Sequence, residues 1–183
     1  MENYDLGQIY ELIDKYVQLN FLVRILTAHS SKSAEEFNSG VFDIDFSLLG
    51  LSSKTAHELS GAANVVNLKK YKEEIFALAD KVTTQIFGCM VNLSNEEKIA
   101  VKEYVDNMVA SYLTKIGECQ DTYLALVVEI DKSTKEENSS KTRSLGKMAK
   151  TSFNKLYEYN TMCQNYSNIS SYLRGMIRNR GLK

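Results

Sequence analysis

Apolar residues along most of this chain return at intervals of three and four, the period that gathers them on one side of an α-helix. Ile9, Leu12, Ile13, Tyr16, Val17, Leu19, Leu22, Val23 and Leu26 set out the first stripe, which Phe21 and Ile25 broaden. The spacing predicts a helix over 4–29 that is buried on much of its circumference. Leu68, Tyr71, Ile75, Leu78, Val82, Ile86 and Cys89 predict a second long helix over 64–91. Val101, Val105, Met108, Tyr112, Ile116, Cys119, Tyr123, Leu126 and Ile130 predict a third, ending near Lys132. Leu145, Ala149, Ser152, Leu156, Tyr159, Cys163, Tyr166, Ile169, Leu173 and Met176 predict the last, over 143–183.

The punctuation between these stripes is uneven. Asn92-Leu93-Ser94 followed by Glu96-Glu97 marks the clearest boundary. Ser94 there can accept from the first turn, and Glu97 can reach back to close a capping box. Residues 30–63 read as a connector of loops and short helices. Ser33-Ala34-Glu35-Glu36 and Thr55-Ala56-His57-Glu58 each match a capping box, and the alternating run Val41 to Phe46 reads as extended chain. Residues 132–142 carry no apolar side chain and read as a solvated loop. The expected fold is all-α. It is a single domain over 1–183, an elongated bundle of about four long helices with one or two short helices between the first and second long ones. The near-heptad spacing favours shallow crossings of about 20°.

Composition supports this reading. The chain has 183 residues and no proline, although average usage is about 5%. Proline breaks helix interiors, so its absence suits long helices. No window approaches the roughly 18 apolar residues that cross a bilayer. The acidic N-terminus lacks the basic region of a secretory signal. Cys89, Cys119 and Cys163 are too scattered for a disulfide framework or a zinc site, and they read as buried free thiols in a reducing compartment.

Charge changes the picture more. The net charge is −1, but residues 1–138 carry −9 and residues 139–183 carry +8. In the latter segment Glu158 stands alone against nine basic residues. A split of this kind points either to internal neutralisation or to a partner of opposite charge. Arg143, Lys147 and Lys150 fall opposite the Leu145/Ala149/Leu156 stripe and should face solvent. Arg174, Arg178 and Arg180 follow near the end. Between the two basic groups, Tyr159 to Leu173 is an uncharged window rich in Tyr, Asn and Ser. Such a window is either buried all round or contacts another molecule, with Tyr159, Tyr166 and Tyr172 as anchors.

Catalytic signals are sparse. Two histidines leave no metal-ligand spacing, and phosphate-binding or nucleophile motifs are missing, so no cofactor or metal is expected. Arg24-Ile25-Leu26-Thr27-Ala28-His29 has the Arg-x4-His spacing of HEPN-type ribonucleases. That resemblance implies Arg24 and His29 acting on a scissile phosphate, although Ile25 replaces the polar residue that often follows the arginine. Phe46 to Leu59 resembles the turn and second helix of a helix-turn-helix.

These observations point to a non-enzymatic regulatory or adaptor protein, cytoplasmic or delivered to a host cell without a cleavable signal. Its expected partner is a protein, acidic in character, bound through the C-terminal helix at Arg143, Lys147, Lys150, Tyr159, Tyr166, Tyr172, Arg174, Arg178 and Arg180. The alternatives are a nucleic acid on the same basic segment, a homodimer through the uncharged window, and the HEPN-like ribonuclease.

Overall fold

A computed structural model describes residues 4–28, 43–61 and 65–178. The chain is all-α, with six helices and, among the described residues, no strand. They are α1 (Leu6–Ala28), α2 (Ser53–Gly61), α3 (Val65–Lys70), α4 (Lys72–Asn92), α5 (Asn95–Lys135) and α6 (Ser139–Arg178). Four are long, and the two short ones lie between the first and second long helices, as the hydrophobic pattern predicts. No helix among the described residues is long and apolar enough to cross a membrane.

The helix ends follow local chemistry. Asp5 and Gln8 cap α1 reciprocally, each side chain accepting from the other's backbone N–H at 2.8 and 3.0 Å. Ser94 and Glu97 form the predicted box at the start of α5, with bonds of 3.2 and 2.8 Å. The buried Lys98 ammonium donates to the Leu93 carbonyl, satisfying an acceptor just past the end of α4.

Two predicted boundaries move. The start of α2 lies at Ser52, whose Oγ accepts from the Thr55 N–H at 3.3 Å, and not at Thr55. Thr55 is buried and donates to Glu74 of α4 at 2.6 Å, and the same carboxylate accepts from the Ser52 N–H at 2.5 Å. A residue from another helix thus caps α2, which local spacing cannot reveal. The stretch predicted as one helix over 64–91 breaks at Tyr71, whose φ and ψ of −110° and 18° separate α3 from α4. The predicted capping box at Ser33 and Glu36 lies outside the described residues.

The largest correction concerns 132–142, which is no solvated loop. Both flanking helices run through it, leaving Glu136, Glu137 and Asn138 as the connection. The Asn138 N–H donates to the Ser133 carbonyl at 3.0 Å and the Glu137 N–H to the Thr134 carbonyl at 3.1 Å. With Glu137 at φ 55°, this is a Schellman turn. The polar side chains then tie the ends together. Asn138 Oδ1 accepts from the Lys141 N–H at 3.1 Å, and the Ser133 and Thr142 hydroxyls meet at 3.0 Å. The hydroxyls and amides that read as a loop are the hydrogen-bonding groups of a tight helical hairpin.

Helix length then shapes the molecule. At about 1.5 Å per residue, the 41 and 40 residues of α5 and α6 span about 60 Å, whereas the 23 and 21 of α1 and α4 span about 30–35 Å. The α5–α6 hairpin is therefore longer than the pair that packs beside it. Ile9, Ile13, Val17, Phe21, Leu22 and Ile25 of α1 are fully buried against α4 and the proximal part of the hairpin. Val101 and Val105 of α5, and Met162, Tyr166, Ile169 and Leu173 of α6, complete that core.

Candidate interaction surface

The hairpin has two unlike halves. Its proximal half runs from Asn95 to about Tyr112 and from about Asn154 to Arg178, under α1. Its distal half runs from Leu113 through the Asn138 turn to Phe153. Beyond Tyr112, α5 fully buries only Ile116 and Ser133. Before Asn154, α6 fully buries only Ala149.

The seam between the two helices continues through the distal half. Ile116, Cys119, Tyr123, Leu126, Ile130 and Ser133 face Thr142, Leu145, Ala149, Ser152 and Leu156, all buried or half-buried. The Cys119 thiol donates to the Ser152 carbonyl at 3.1 Å, and burial raises its pKa. Nothing else among the described residues clads this part. Leu113, Leu124, Val127, Val128, Met148 and Phe153 are 57, 60, 41, 67, 54 and 53% exposed. On α5 these side chains are not scattered. At 100° per residue, Leu113, Leu124, Val127 and Val128 share one sector of about 100°, rotated some 120° from the seam. Scattered apolar residues are normal on a surface, whereas an aligned set marks a contact site.

The sequence-predicted residues divide among three environments. Arg143, Lys147 and Lys150 are exposed on the distal half of α6, and none forms an ion pair with a described residue. Arg174 and Arg178 are exposed at the far end of the same helix, and Arg180 lies outside the described residues. Tyr172 is 38% exposed and packs edge-on against Phe87 at 5.1 Å between centroids.

Tyr166 is core. It is 2% exposed, stacks on Tyr112 at 5.7 Å, and its hydroxyl donates to Asp14 at 2.7 Å. Tyr104 donates to the same carboxylate at 2.7 Å and stacks on Tyr10 at 4.2 Å. Burial, the Asp14 charge and these hydrogen bonds push both phenols far above their usual range. They are held as neutral donors, which fits a structural network. Part of the uncharged window is likewise enclosed: Thr161, Met162, Cys163, Ile169, Ser170 and Leu173 are buried, whereas Asn160, Gln164, Asn168, Ser171 and Tyr172 are exposed. The missing charges on the buried positions therefore reflect burial against α1 and α5, where Cys163 donates to the Val109 carbonyl and Ser170 to Asp106.

Tyr159 stands at the border between the halves. Its hydroxyl donates to Asp43 at 2.6 Å, the Lys155 ammonium donates to Asp43 at 3.2 Å, and Lys115 lies over the Tyr159 ring at 5.5 Å. Burial tends to raise the Asp43 pKa, but these hydrogen bonds and the Lys155 charge bring it below the usual carboxylate range. Glu158 beside it is 1% exposed and accepts from the Asp43 N–H at 2.9 Å. Burial, reinforced by the Asp43 charge, raises it to about 7. This group fastens the segment around Asp43 to α6, a long-range contact that no local spacing announces.

The catalytic candidates are not brought together among the described residues. Arg24 is exposed with its guanidinium 5.8 Å from the Tyr157 ring centroid, and His29 lies outside the described residues. In the segment resembling a helix-turn-helix, turns over Phe46 to Gly50 lead into α2, but residues 43–45 before them are not helical. No three His, Cys, Asp or Glu side chains among the described residues come together as a metal site. A cleft of about 720 Å³ lies between the start of α1 and the end of α4, lined by Tyr4, Ile9, Gln85, Cys89, Asn92 and Glu97. It brings together the Cys89 thiol and two carboxylates, Asp5 and Glu97, both of which accept from backbone N–H groups as helix caps. No protein-family model matches the chain, and neither characterised proteins nor solved structures give a significant match.

Proposed function

We propose that this chain acts without catalysis, as a regulatory or adaptor protein that binds another protein through the distal half of the α5–α6 hairpin. The observation that carries the reading is the aligned exposed set Leu113, Leu124, Val127 and Val128, with Phe153 on the neighbouring helix. Apolar anchors of this kind, edged by charge, are what a protein interface uses. The basic residues Arg143, Lys147 and Lys150 supply that edge and favour an acidic neighbour. Tyr166 has no part in the surface, because its ring and hydroxyl are both committed to the core.

A double variant, Leu124→Glu with Phe153→Glu, tests the reading. Both side chains are exposed, so helical circular dichroism should stay unchanged while a native pull-down loses its captured protein. Capture that persists in the double variant refutes the surface.

A second reading rests on the three unpaired cations alone: a nucleic acid could lie along Arg143, Lys147 and Lys150. It requires affinity that falls steeply with salt, with a log–log slope near −0.9 per phosphate neutralised on duplex DNA. Capture that nuclease treatment abolishes would favour it. The −9 carried by residues 1–138 opposes a long polyanion, which leaves this reading second.

A further inference from the structure

The segment over 43–50 is held to the bundle by two unlike means. Ile44, Phe46 and Leu49 are buried in the core. Around them the chain is closed locally, where the Ser47 N–H donates to the Asp45 carboxylate at 3.0 Å and the Leu48 N–H to the Asp45 carbonyl at 3.1 Å. Asp43, at the start of the segment, is fastened by side chains of α6 instead. Its N–H donates to Glu158 at 2.9 Å, and its carboxylate accepts from Tyr159 at 2.6 Å and from Lys155 at 3.2 Å.

The acceptor in the first of these bonds sits where a charge is costly. Glu158 is 1% exposed, and among the described residues its carboxyl has one hydrogen bond and no ion pair. The Lys155 ammonium on the same helix pairs with Asp43. The Lys115 ammonium of α5 lies over the Tyr112 and Tyr159 rings, 4.9 and 5.5 Å from their centroids. One turn before Glu158, the buried Asn154 amide nitrogen has no hydrogen-bond partner, so it does not serve the carboxylate either. A carboxylate removed from water stays ionised when several donors or a paired cation hold it. Glu158 has neither, and the Asp43 charge beside it adds repulsion. This surrounding favours the neutral acid, in line with the value of about 7 to which burial first, and then Asp43, raise it.

We infer that Asp43 and Glu158 form a pH-sensitive latch, which holds the start of the 43–50 segment on α6 while Glu158 is protonated and loosens when Glu158 ionises. Opening hydrates the Glu158 carboxyl and returns it to its ordinary 4.5, so the closed form takes the proton and the open form the charge. The Glu158 contribution to closure is complete below about 4.5 and is lost as pH rises through about 7. By pH 8 the closed-to-open ratio should have fallen by about 300-fold, of which about 70-fold falls between pH 5 and pH 8.

The other groups around the latch act outside that step. Burial raises the Asp43 carboxyl, but the Tyr159 and Lys155 hydrogen bonds and the Lys155 charge take it below the usual carboxylate range. Its ties to Tyr159 and Lys155 therefore weaken as pH falls through that low value. Burial and then the Glu158 charge raise Tyr112 of α5 to about 12, and Tyr159 is pushed up as well by burial and Asp43. Asp14 of α1 adds its charge to Tyr112. The positive charges of Lys155 and Lys115 lower Glu158 by less than burial raises it. Phe46 and Leu49 carry no titratable group and keep the rest of the segment in place, which confines the opening to residues 43–45. Opening frees the Tyr159 hydroxyl and the Lys155 ammonium on the border of the exposed half of α6. The latch stands apart from the protein-binding reading of the distal half, which its failure would leave untouched.

Nuclear magnetic resonance on the full chain provides the test. The Glu158 side-chain carboxyl carbon should titrate near pH 7. Corrected for intrinsic exchange rates, the Asp43 amide should lose protection by about 70-fold between pH 5 and pH 8. Low urea should leave its exchange unchanged while speeding that of Val101 and Val105, because a local opening exposes little surface. Glu158→Gln keeps an acceptor for the Asp43 N–H and cannot ionise, so the loss of protection should vanish in it. The parent's own pH series needs no variant, so a misfolded Glu158→Gln leaves the test intact. A Glu158 carboxyl that titrates at 4–5, or Asp43 protection that is flat with pH, overturns the latch. So does Asp43 exchange that follows urea as Val101 does, or pH dependence that persists in a folded Glu158→Gln.

Discussion

The two halves of the α5–α6 hairpin share one seam and differ in what lies over it. In the proximal half, the face away from the seam meets α1, and the side chains there form a hydrogen-bonded network around Asp14. In the distal half the same helices continue with apolar residues on the free face and nothing among the described residues to cover them. A helical stripe therefore specifies that a residue is apolar and aligned, and the length of the neighbouring helix decides whether it becomes core. At 23 residues, α1 cannot reach the tip of a hairpin whose arms have 41 and 40. The contrast between Tyr166, 2% exposed, and Phe153, 53% exposed, is its sharpest expression, since both are aromatic residues on α6.

Truncating those two residues gives the largest expected difference. Tyr166→Ala removes a buried ring and leaves Asp14 short of one donor, so it should cost about 4 kcal/mol. Phe153→Ala should cost under about 1 kcal/mol in the monomer, because the ring is already half in water. Urea denaturation of both variants measures this. Comparable losses would mean that the distal half is as firmly built as the proximal one, and the comparison would fail.

The border between the halves should respond to pH. Glu158 is buried and its folded pKa is raised to about 7 from 4.5. The folded state therefore holds this proton more tightly than the unfolded chain does. The stabilisation is complete below the unfolded value and is lost as pH rises from about 4.5 through about 7. By pH 8 the ionised carboxylate should cost about 3 kcal/mol relative to acid conditions. Asp43, whose N–H bonds to it, titrates below that window. Glu158→Gln can still accept from the Asp43 N–H. The variant should therefore melt higher than the parent at pH 8 and show a flatter melting curve against pH between 5 and 8. An unchanged slope would place the titration elsewhere.

Much of this was legible in the residues, and the failures have physical causes. The stripes on α1, α4, α5 and α6 predict the four long helices, because burial of one face repeats with the helix period. The Ser94–Glu97 box is local and reads directly. The cap on α2 is not local, since Glu74 reaches it from α4. The hairpin turn was hidden because Ser133, Asn138 and Thr142 are polar whether they bond to water or to one another. The uncharged window Tyr159 to Leu173 was a signal with two meanings: the structure assigns the stripe through Met162, Tyr166, Ile169 and Leu173 to burial and leaves Asn160, Gln164, Asn168, Ser171 and Tyr172 exposed. The exposed stripe of the distal half was also present, since Tyr123 to Val128 is apolar on every side of the helix. One such side faces the seam, and another must face something else.

The smallest effect concerns the tip, where the two distal arms turn back. Glu137 holds φ at 55°, a left-handed conformation that a side chain tolerates poorly and that glycine adopts freely. The Glu137 carboxylate has no hydrogen bond or ion pair with a described residue, so the substitution removes no contact there. Glu137→Gly should therefore stabilise the monomer by about 0.5–1 kcal/mol, offset in part by the greater freedom of glycine in the unfolded chain. The gain should appear as slower hydrogen exchange at Asn138 and Lys141, whose amides bond across the turn, with no change at Val101 or Val105 in the proximal core. Equal protection in both regions would mean that the hairpin opens as one unit. A change confined to the turn would show that the bare distal half opens independently of the half that α1 covers.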